Sequence, residues 1–437
     1  MSRKNKPKEY KLTIESLSNE GRGIAHYEAK TVFVRGALVG EEVLAQRVRN
    51  KAKYDEADTI EVLKASSMRI EPKCEVFGIC GGCSLQYLSP ENQIIEKEQW
   101  LKNHFKQHGY IEPKKWLSPI TSESWNYRRK ARLGVRFVEK KGEVLVGFRE
   151  KKSSFITQMD KCEVLDLALN TKIKDLKICF SQLSIKKNIP QIEVAITDEQ
   201  TILILRHLEE LNDNDKQILK DFAKVQNITW YLQSGGLDTV KPLENEVKLS
   251  YQHKKHNIEI NFLPTDFTQV NFSINEKMLN QALDLLKVEK DDNILDLFCG
   301  LGNFSLPLAK YANSITGVDF DKNLIQRARD NAIKNGLNNI DFFAFDLTKE
   351  PTQQLWYQNK TYDKIVIDPA RSGALEIIEF LPQFKTKMVL YVSCNPATLA
   401  RDSEVLLKQD FELKYAGVMD MFPHTAHIES MALFIKK

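Results

Sequence analysis

Between Tyr10 and Leu63, apolar and polar residues alternate in short runs broken by glycine: KLTIESL, NEGRGIAHYEAK, TVFVRGALVGEEVLAQRV and DTIEVLKAS. Period-two patterning with glycine turns predicts several short strands and no long helix, which is the pattern of a small β-barrel. After CEVFGICGGCSLQYLSP (74–90), the run ENQIIEKEQWLKNHFKQHG has helical spacing up to Gly109. Residues 125–260 mix strand-like and amphipathic stretches. From about Asn261 the order becomes strand, glycine loop, helix, strand, repeated. NILDLFCGLGNFSLPLAKYA reads as strand then helix, SITGVDF as a strand, and NLIQRARDNAIKNG as a helix ended by Gly336. IDFFAFD, DKIVIDPAR and KMVLYVSCNP supply three more strands, and the tail FELKYAGVMDMFPHTAHIESMALFIKK two more around a loop. Alternating βα units predict a mostly parallel sheet with its ligand beyond the carboxyl ends of the strands.

Composition adds a soluble, globular character: 437 residues, 42% hydrophobic and 28% charged. At roughly 150 residues per domain the length predicts about three domains. No apolar run reaches the ~18 residues of a membrane helix, and the Lys-rich stretch from Met1 to Lys11 lacks a following apolar region, so the expected address is the cytoplasm, with no membrane partner and no obligate protein partner. The first 50 residues hold 10 Lys and Arg against 6 Asp and Glu, an excess equal to the net charge of +4 of the whole chain. A basic front module points to a polyanionic partner. Seven cysteines, an odd number, argue for ligand or catalytic thiols over a disulfide framework.

In DLFCGLGNF (296–304), Gly300 and Gly302 allow a tight turn that lets a ligand approach the backbone before a helix begins. The next strand ends at Asp319, where a carboxylate can accept from ribose hydroxyls, and the one after at Asp346, near the expected place of an adenine. Asn303 closes the loop. This arrangement resembles a class I S-adenosylmethionine-dependent methyltransferase. A nicotinamide enzyme normally keeps a third glycine where this chain has Ser305. Amino-directed methyltransferases carry an aromatic residue at the place of Arg371 in IDPAR, which disfavours methylation of an exocyclic nitrogen.

The strand ending VSCNP puts Cys394 at the mouth of the same cleft. A pyrimidine C5 is a poor nucleophile until a thiolate adds at C6 and turns C5 and O4 into an enolate. The C5 proton must afterwards be removed by a general base before the sulfur can leave. Glu429, at the start of the last strand, is one candidate, and His424 and His427 compete with it. Cys179 and Cys299 read as packing residues. In DFTQVN, Phe267 and Gln269 share one side of an extended chain and offer a stacking ring and an amide.

Together, FTQVN, DLFCGLGNF, DPAR, SCNP and PHTAHIE resemble the RNA uracil-C5 methyltransferase family over nearly the whole chain. The resemblance implies Cys394 as nucleophile, Glu429 as base, and Gln269, Phe298, Asn303, Asp319, Asp346 and Asp368 as the methyl-donor site. Residues 10–63, with Arg47, Arg49, Lys51 and Lys53, resemble a TRAM domain, an OB-like RNA-binding barrel. Cys74, Cys80 and Cys83 have C-x5-C-x2-C spacing, and Cys162 is a candidate fourth ligand. Spacing alone fits zinc and an iron-sulfur cluster equally. The surrounding FGICGGC resembles the cluster-binding segment of this family and implies [4Fe-4S].

YRRKARLGVR (127–136) supplies Arg128, Arg129, Lys130 and Arg132 as candidate RNA contacts beside Phe267. Within that family, a barrel together with a cysteine segment resembles the 23S rRNA enzymes, and the resemblance implies 23S rRNA as substrate in place of tRNA. A dual-specificity enzyme and a noncatalytic RNA-binding factor are the alternatives. The expected organisation is a TRAM-like barrel over 1–66, an α+β iron-sulfur domain over 67–260 and a Rossmann-like methyltransferase domain over 261–437, with helix 91–124 free to pack on the last.

Overall fold

The computed structural model describes residues 8–437; residues 1–7, which include part of the expected barrel and of the Lys-rich stretch, lie outside the described residues. In the first sheet the strands lie in the order Glu9–Thr13, Glu42–Asn50, Tyr54–Lys64, Lys30–Arg35, Gly23–Tyr27 and Ser16–Leu17. The two outer strands follow each other in the chain. Between them the Ile14 N–H donates to the Glu41 carbonyl (2.9 Å) and the Glu15 N–H to the Ile24 carbonyl (2.8 Å), so the sheet closes on itself. Closure removes the exposed edges. The alternate residues Tyr10, Leu12, Ile14, Val32, Val34 and Val43 fill the interior.

A second six-stranded sheet runs in the order Lys241–Pro242, Thr229–Gln233, Thr201–Arg206, Gln191–Ile196, Lys130–Val138 and Glu143–Gly147. Helices Ile173–Gln182 and Asp213–Gln226 accompany it. The third sheet has eight strands, in the order Ile340–Ala344, Ser314–Asp319, Asn293–Leu297, Lys364–Ile367, Met388–Ser393, Glu429–Lys436, Phe411–Met419 and Lys115–Trp116. The first five are parallel. Chain order reverses on either side of Asn293–Leu297, so its carboxyl end opens a crevice between diverging connections.

Helix Pro90–Gln107 belongs with this third sheet. Its Trp100, Leu101 and Phe105 are buried in one cluster with Phe411, Leu413 and Phe434, and the chain then adds Lys115–Trp116 beside Phe411–Met419. The expected boundary at 260/261 falls inside strand Ile258–Phe262, the second arm of a hairpin with Leu249–His253. That hairpin buries Tyr251, Ile258, Ile260 and Phe262 against Leu306, Ile325 and Phe342 of the C-terminal layer. Its alternating residues have an apolar face to cover, and the same cluster includes Ala195, Ile202 and Ile204 of the second sheet, so the hairpin packs between the two layers. Among the described residues, no helix is long and apolar enough to cross a membrane.

Candidate active site

Strand Met388–Ser393 pairs antiparallel with Glu429–Lys436, and Ser393 faces Ser430. Continuing that register by one residue sets Cys394 opposite Glu429, at the carboxyl ends of the parallel strands. Asp368 follows strand Lys364–Ile367 at the same edge, its N–H donating to the Leu297 carbonyl (3.3 Å). Burial is the main influence on all three. It pushes the partly exposed Cys394 thiol up to about 11, with the nearby Glu429 and Asp368 carboxyls adding to the rise and Arg371 opposing it. Asp368 is pushed up to about 7. Glu429, 5% exposed, is held well above the ordinary carboxylate range by burial and by Asp368.

Arg371 bridges the cleft edge, with Nη2 3.0 Å from Nδ1 of His427, while its carbonyl accepts from Asn395 Nδ2 (2.9 Å). Of the two competing bases, His427 is exposed at the rim. His424 is fully buried and stacked on Trp125, with ring centroids 3.7 Å apart, so it is locked in the loop below the mouth.

The glycine loop sits beside this group. Gly300 has φ +54, its N–H donates to Asp319 Oδ2 (3.0 Å), and a β-carbon there would meet nothing within 4 Å, so the loop leaves open space above the strand ends. Phe298 adopts φ +65, a backbone strained for a side-chain-bearing residue and characteristic of functional turns. The Asp319 Oδ1 accepts from the Asp321 N–H (3.1 Å). Asp346 accepts from the Thr348 hydroxyl (2.7 Å), which holds its carboxyl below the usual range. The Asn303 carboxamide is turned away from this space. Its Oδ1 accepts from the Tyr251 hydroxyl (3.0 Å) and Asn275 Nδ2 (3.0 Å) and lies 3.1 Å from His253 Nε2.

Exposure alternates from Phe267 (72% exposed) through Thr268 (5%) to the partly buried Gln269, so Phe267 and Gln269 point to one side. Two residues that sequence reasoning passed over belong here. Asp296 is fully buried and accepts from the Ser305 hydroxyl; burial pushes it up to about 7, and its Oδ1 has no partner. Phe320, directly after Asp319, is 73% exposed. The signals were an acid inside an apolar strand and a bare aromatic beside a strand-end carboxylate. An orphaned buried oxygen, an open glycine turn and ribose-type carboxylate acceptors form a set that suits an adenosyl sulfonium.

Cys74, Cys80, Cys83 and Cys162 line one cavity together with Arg128, Phe148 and Met159. Burial pushes the Cys83 thiol up to about 12 and Cys162 to about 11, each cysteine's neighbours adding to the rise. The Gly82 N–H donates to Cys80 Sγ (3.4 Å), and the Cys74 N–H to Gln86 Oε1 (3.1 Å). Among the described residues, no group of three or more His, Cys, Asp or Glu side chains is placed to hold a metal ion.

Residues 89–437 match the tRNA (Uracil-5-)-methyltransferase family, and residues 3–57 match the TRAM domain. The chain belongs to the tRNA (uracil-5-)-methyltransferase family. Among its relatives, a protein of Vesicomyosocius okutanii named 23S rRNA (uracil(1939)-C(5))-methyltransferase RlmD is 54% identical, over 100% of this chain and 99% of its own length. One of the same name from Alcanivorax borkumensis is 47% identical, over 97% and 96%. The solved tRNA (uracil-54, C5)-methyltransferase of Pyrococcus abyssi, in complex with S-adenosyl-L-homocysteine, shares the fold with a TM-score of 0.77 at 22% identity, covering 98% of this chain and 100% of that one.

In this member of the uracil-5-methyltransferase family the basic segment divides. Strand Lys130–Val138 puts Lys130, Arg132 and Arg136 on one face, alternating with buried Ala131, Leu133 and Val135. Arg132 and Arg136 are exposed, and Arg132 also pairs with Glu193 (2.8 Å). Arg129 is drawn into pairs with Asp166 (3.3 Å) and Asp198 (2.6 Å), and Arg128 lies over the Phe148 ring beside the cysteines. Burial lowers Lys130 to about 8. Between the barrel and this strand runs a groove of about 1810 Å³, with Arg22, Arg35, Arg132, Arg136, Lys151 and Lys152 among its lining residues.

Proposed function

We propose that this chain methylates C5 of a uridine in 23S rRNA, at the position its relatives' names give as 1939, by way of a covalent bond from Cys394. The observation that carries the reading is the pairing across the sheet: a thiol and a buried carboxyl stand opposite each other at the strand ends beside the open glycine loop. The Cys394 thiol gives its proton to water before its sulfur adds to C6, so the small thiolate fraction that burial allows at neutral pH limits the addition. Arg371, the cation that acts on both Cys394 and Glu429, offsets the negative charge that gathers there. S-adenosylmethionine, when bound, supplies the electrophilic methyl group that C5 takes up. Glu429 then accepts the C5 proton; the electrons of that C–H bond re-form the C5–C6 double bond and expel the Cys394 thiolate. A carboxylate with a raised pKa is a strong acceptor once it is ionised.

Gln269, Asp319 and the glycine loop bind the donor, with Phe298, Asp346 and Asp368 around them, and Asn303 braces the loop from below. Phe267 offers its bare ring to bases, and the target must leave its stack to reach the sulfur. The groove between barrel and central sheet, with Arg132 at its wall, suits a phosphate backbone. Residues 67–260 act as the central domain apart from the helix and hairpin that cover the catalytic sheet, and the cytoplasm, where ribosomal RNA is handled, is its place of work. Labelled methyl from S-adenosylmethionine should appear as 5-methyluridine at a single position of unmodified 23S rRNA. Transfer to tRNA alone, or none to any RNA, overturns the reading.

Cys74, Cys80, Cys83 and Cys162 would hold a [4Fe-4S] cluster through four thiolates, and the cluster would cross-link that corner of the central domain. Their place around one shared cavity supports this, with Arg128 to offset thiolate charge. Anaerobically purified protein should be brown and contain about four irons per chain, and Cys80→Ala should lose both. Stoichiometric zinc refutes the cluster.

A further inference from the structure

Residues 420–428 form the loop that delivers Glu429, and distant parts of the chain grip it at His424. The His424 N–H donates to Gln93 Oε1 (2.7 Å), and its carbonyl accepts from the Ser84 N–H (2.9 Å) and the Leu85 N–H (3.0 Å). Its ring Nδ1 lies 3.1 Å from Gln93 Nε2. The Tyr127 hydroxyl donates to the Pro423 carbonyl (3.1 Å), and the Ala426 N–H to Ser84 Oγ (3.1 Å). Lys97, fully buried, pairs with Asp420 (2.7 Å) and donates to the Phe422 carbonyl (3.0 Å). His424 holds φ +65, a conformation that a side-chain-bearing residue keeps only where its surroundings impose it.

Gln93 is fully buried and cannot turn its amide over. Its Nε2 also faces the Leu85 carbonyl (3.1 Å) and the Leu88 carbonyl (2.7 Å), while Oε1 faces a donor. One side chain therefore ties helix Pro90–Gln107, the segment just after Cys83 and the loop before Glu429 into one network. We propose that Gln93, with His424 and Tyr127, is a positioning residue for the release step: it fixes where Glu429 stands relative to C5, and so couples the cysteine segment to the base. This rests on the role proposed for Glu429. It predicts that loosening the network spares sulfur addition and methyl uptake but slows loss of the C5 proton, with the chain still bonded to its RNA through Cys394.

Three variants, Gln93→Leu, Tyr127→Phe and Glu429→Gln, are compared with the parent, using labelled S-adenosylmethionine, unmodified 23S rRNA and a denaturing gel that retains covalent adduct. In Gln93→Leu the KM for the donor and the rate of methyl uptake should stay within about 2-fold of the parent, while release slows at least about 10-fold and methylated adduct accumulates. Tyr127→Phe, which loses one hydroxyl, should move the same way by a smaller factor and decides the matter if Gln93→Leu does not fold. Normal release in both variants, or uptake and release falling together, overturns the proposal. Adduct in Glu429→Gln but in neither of the others sinks the positioning role alone, whereas no adduct in Glu429→Gln sinks the role of Glu429 with it.

Discussion

Cys394→Ala eliminates methyl transfer, by at least about 10⁴-fold, and leaves binding of S-adenosylmethionine within about 2-fold of the parent. The size of the loss follows from the chemistry: without sulfur at C6 the uracil ring has no enolate with which to attack a methyl carbon. Cys299, also close to the glycine loop, is 5% exposed, and burial pushes its thiol well above the usual range. The donor site is spared because the Gly300 turn, Asp319 and Phe320 lie on neighbouring strands and make no contact through the sulfur. The parent enzyme adds a second signature. With the Cys394 thiol held up at about 11, its thiolate fraction rises about tenfold per pH unit across the neutral range, so adduct formation in a single turnover should climb with pH between about 6 and 9. The raised pKa of Glu429 bears on the later step, so release should also gain with pH as its base form is populated. Calorimetry for the donor and rapid-quench transfer to rRNA check both parts; full transfer in the alanine variant removes the covalent mechanism.

What could be read in advance divides along physical lines. Cys394, Glu429 and the acids at 319, 346 and 368 stand at strand ends, and strand ends are visible where an apolar run stops at polar residues. That fixed their common edge of the sheet without any knowledge of packing. The register that puts Cys394 opposite Glu429 was not visible, because it depends on which strands become neighbours, and those two are joined through helix Pro396–Lys408 and strand Phe411–Met419. Asn303 shows the same limit. Its loop position suggested a ligand contact, but the hairpin at 249–262, whose place against the loop no local pattern reveals, takes up its carboxamide.

Charge patterning failed in a similar way. YRRKARLGVR reads as one cationic run, yet Arg129 finds Asp166 and Asp198 at separations of 37 and 69 residues, and only the outward face of the strand stays available. The four cysteines line one cavity, to which Cys162 comes from far along the chain. What the spacing could not convey is how the segment just after Cys83 is bonded to the loop that ends at Glu429.

Glu429→Gln is expected to stop the reaction one step later than Cys394→Ala, and the contrast separates nucleophile from base. Glutamine keeps the size of the side chain and its acceptor oxygen but cannot take a proton, so addition and methyl uptake proceed while the C5 proton stays. The product is a chain bonded through sulfur to a uridine already carrying the new methyl group, stable to denaturant. Release should fall by about 10²–10⁴-fold, the range typical for loss of a general base. The two histidines cannot take over: His427 points into solvent against Arg371, and the buried His424 is stacked on Trp125 and bonded to Gln93. Asp368 is the carboxyl whose charge helps to raise both Cys394 and Glu429, and the Asp368→Asn variant should differ by lowering the pKa of both without trapping methylated adduct. Mass spectrometry of nuclease-trimmed adduct reads the methyl directly. A normal turnover rate in Glu429→Gln, or an adduct that lacks the methyl, assigns proton removal to some other group.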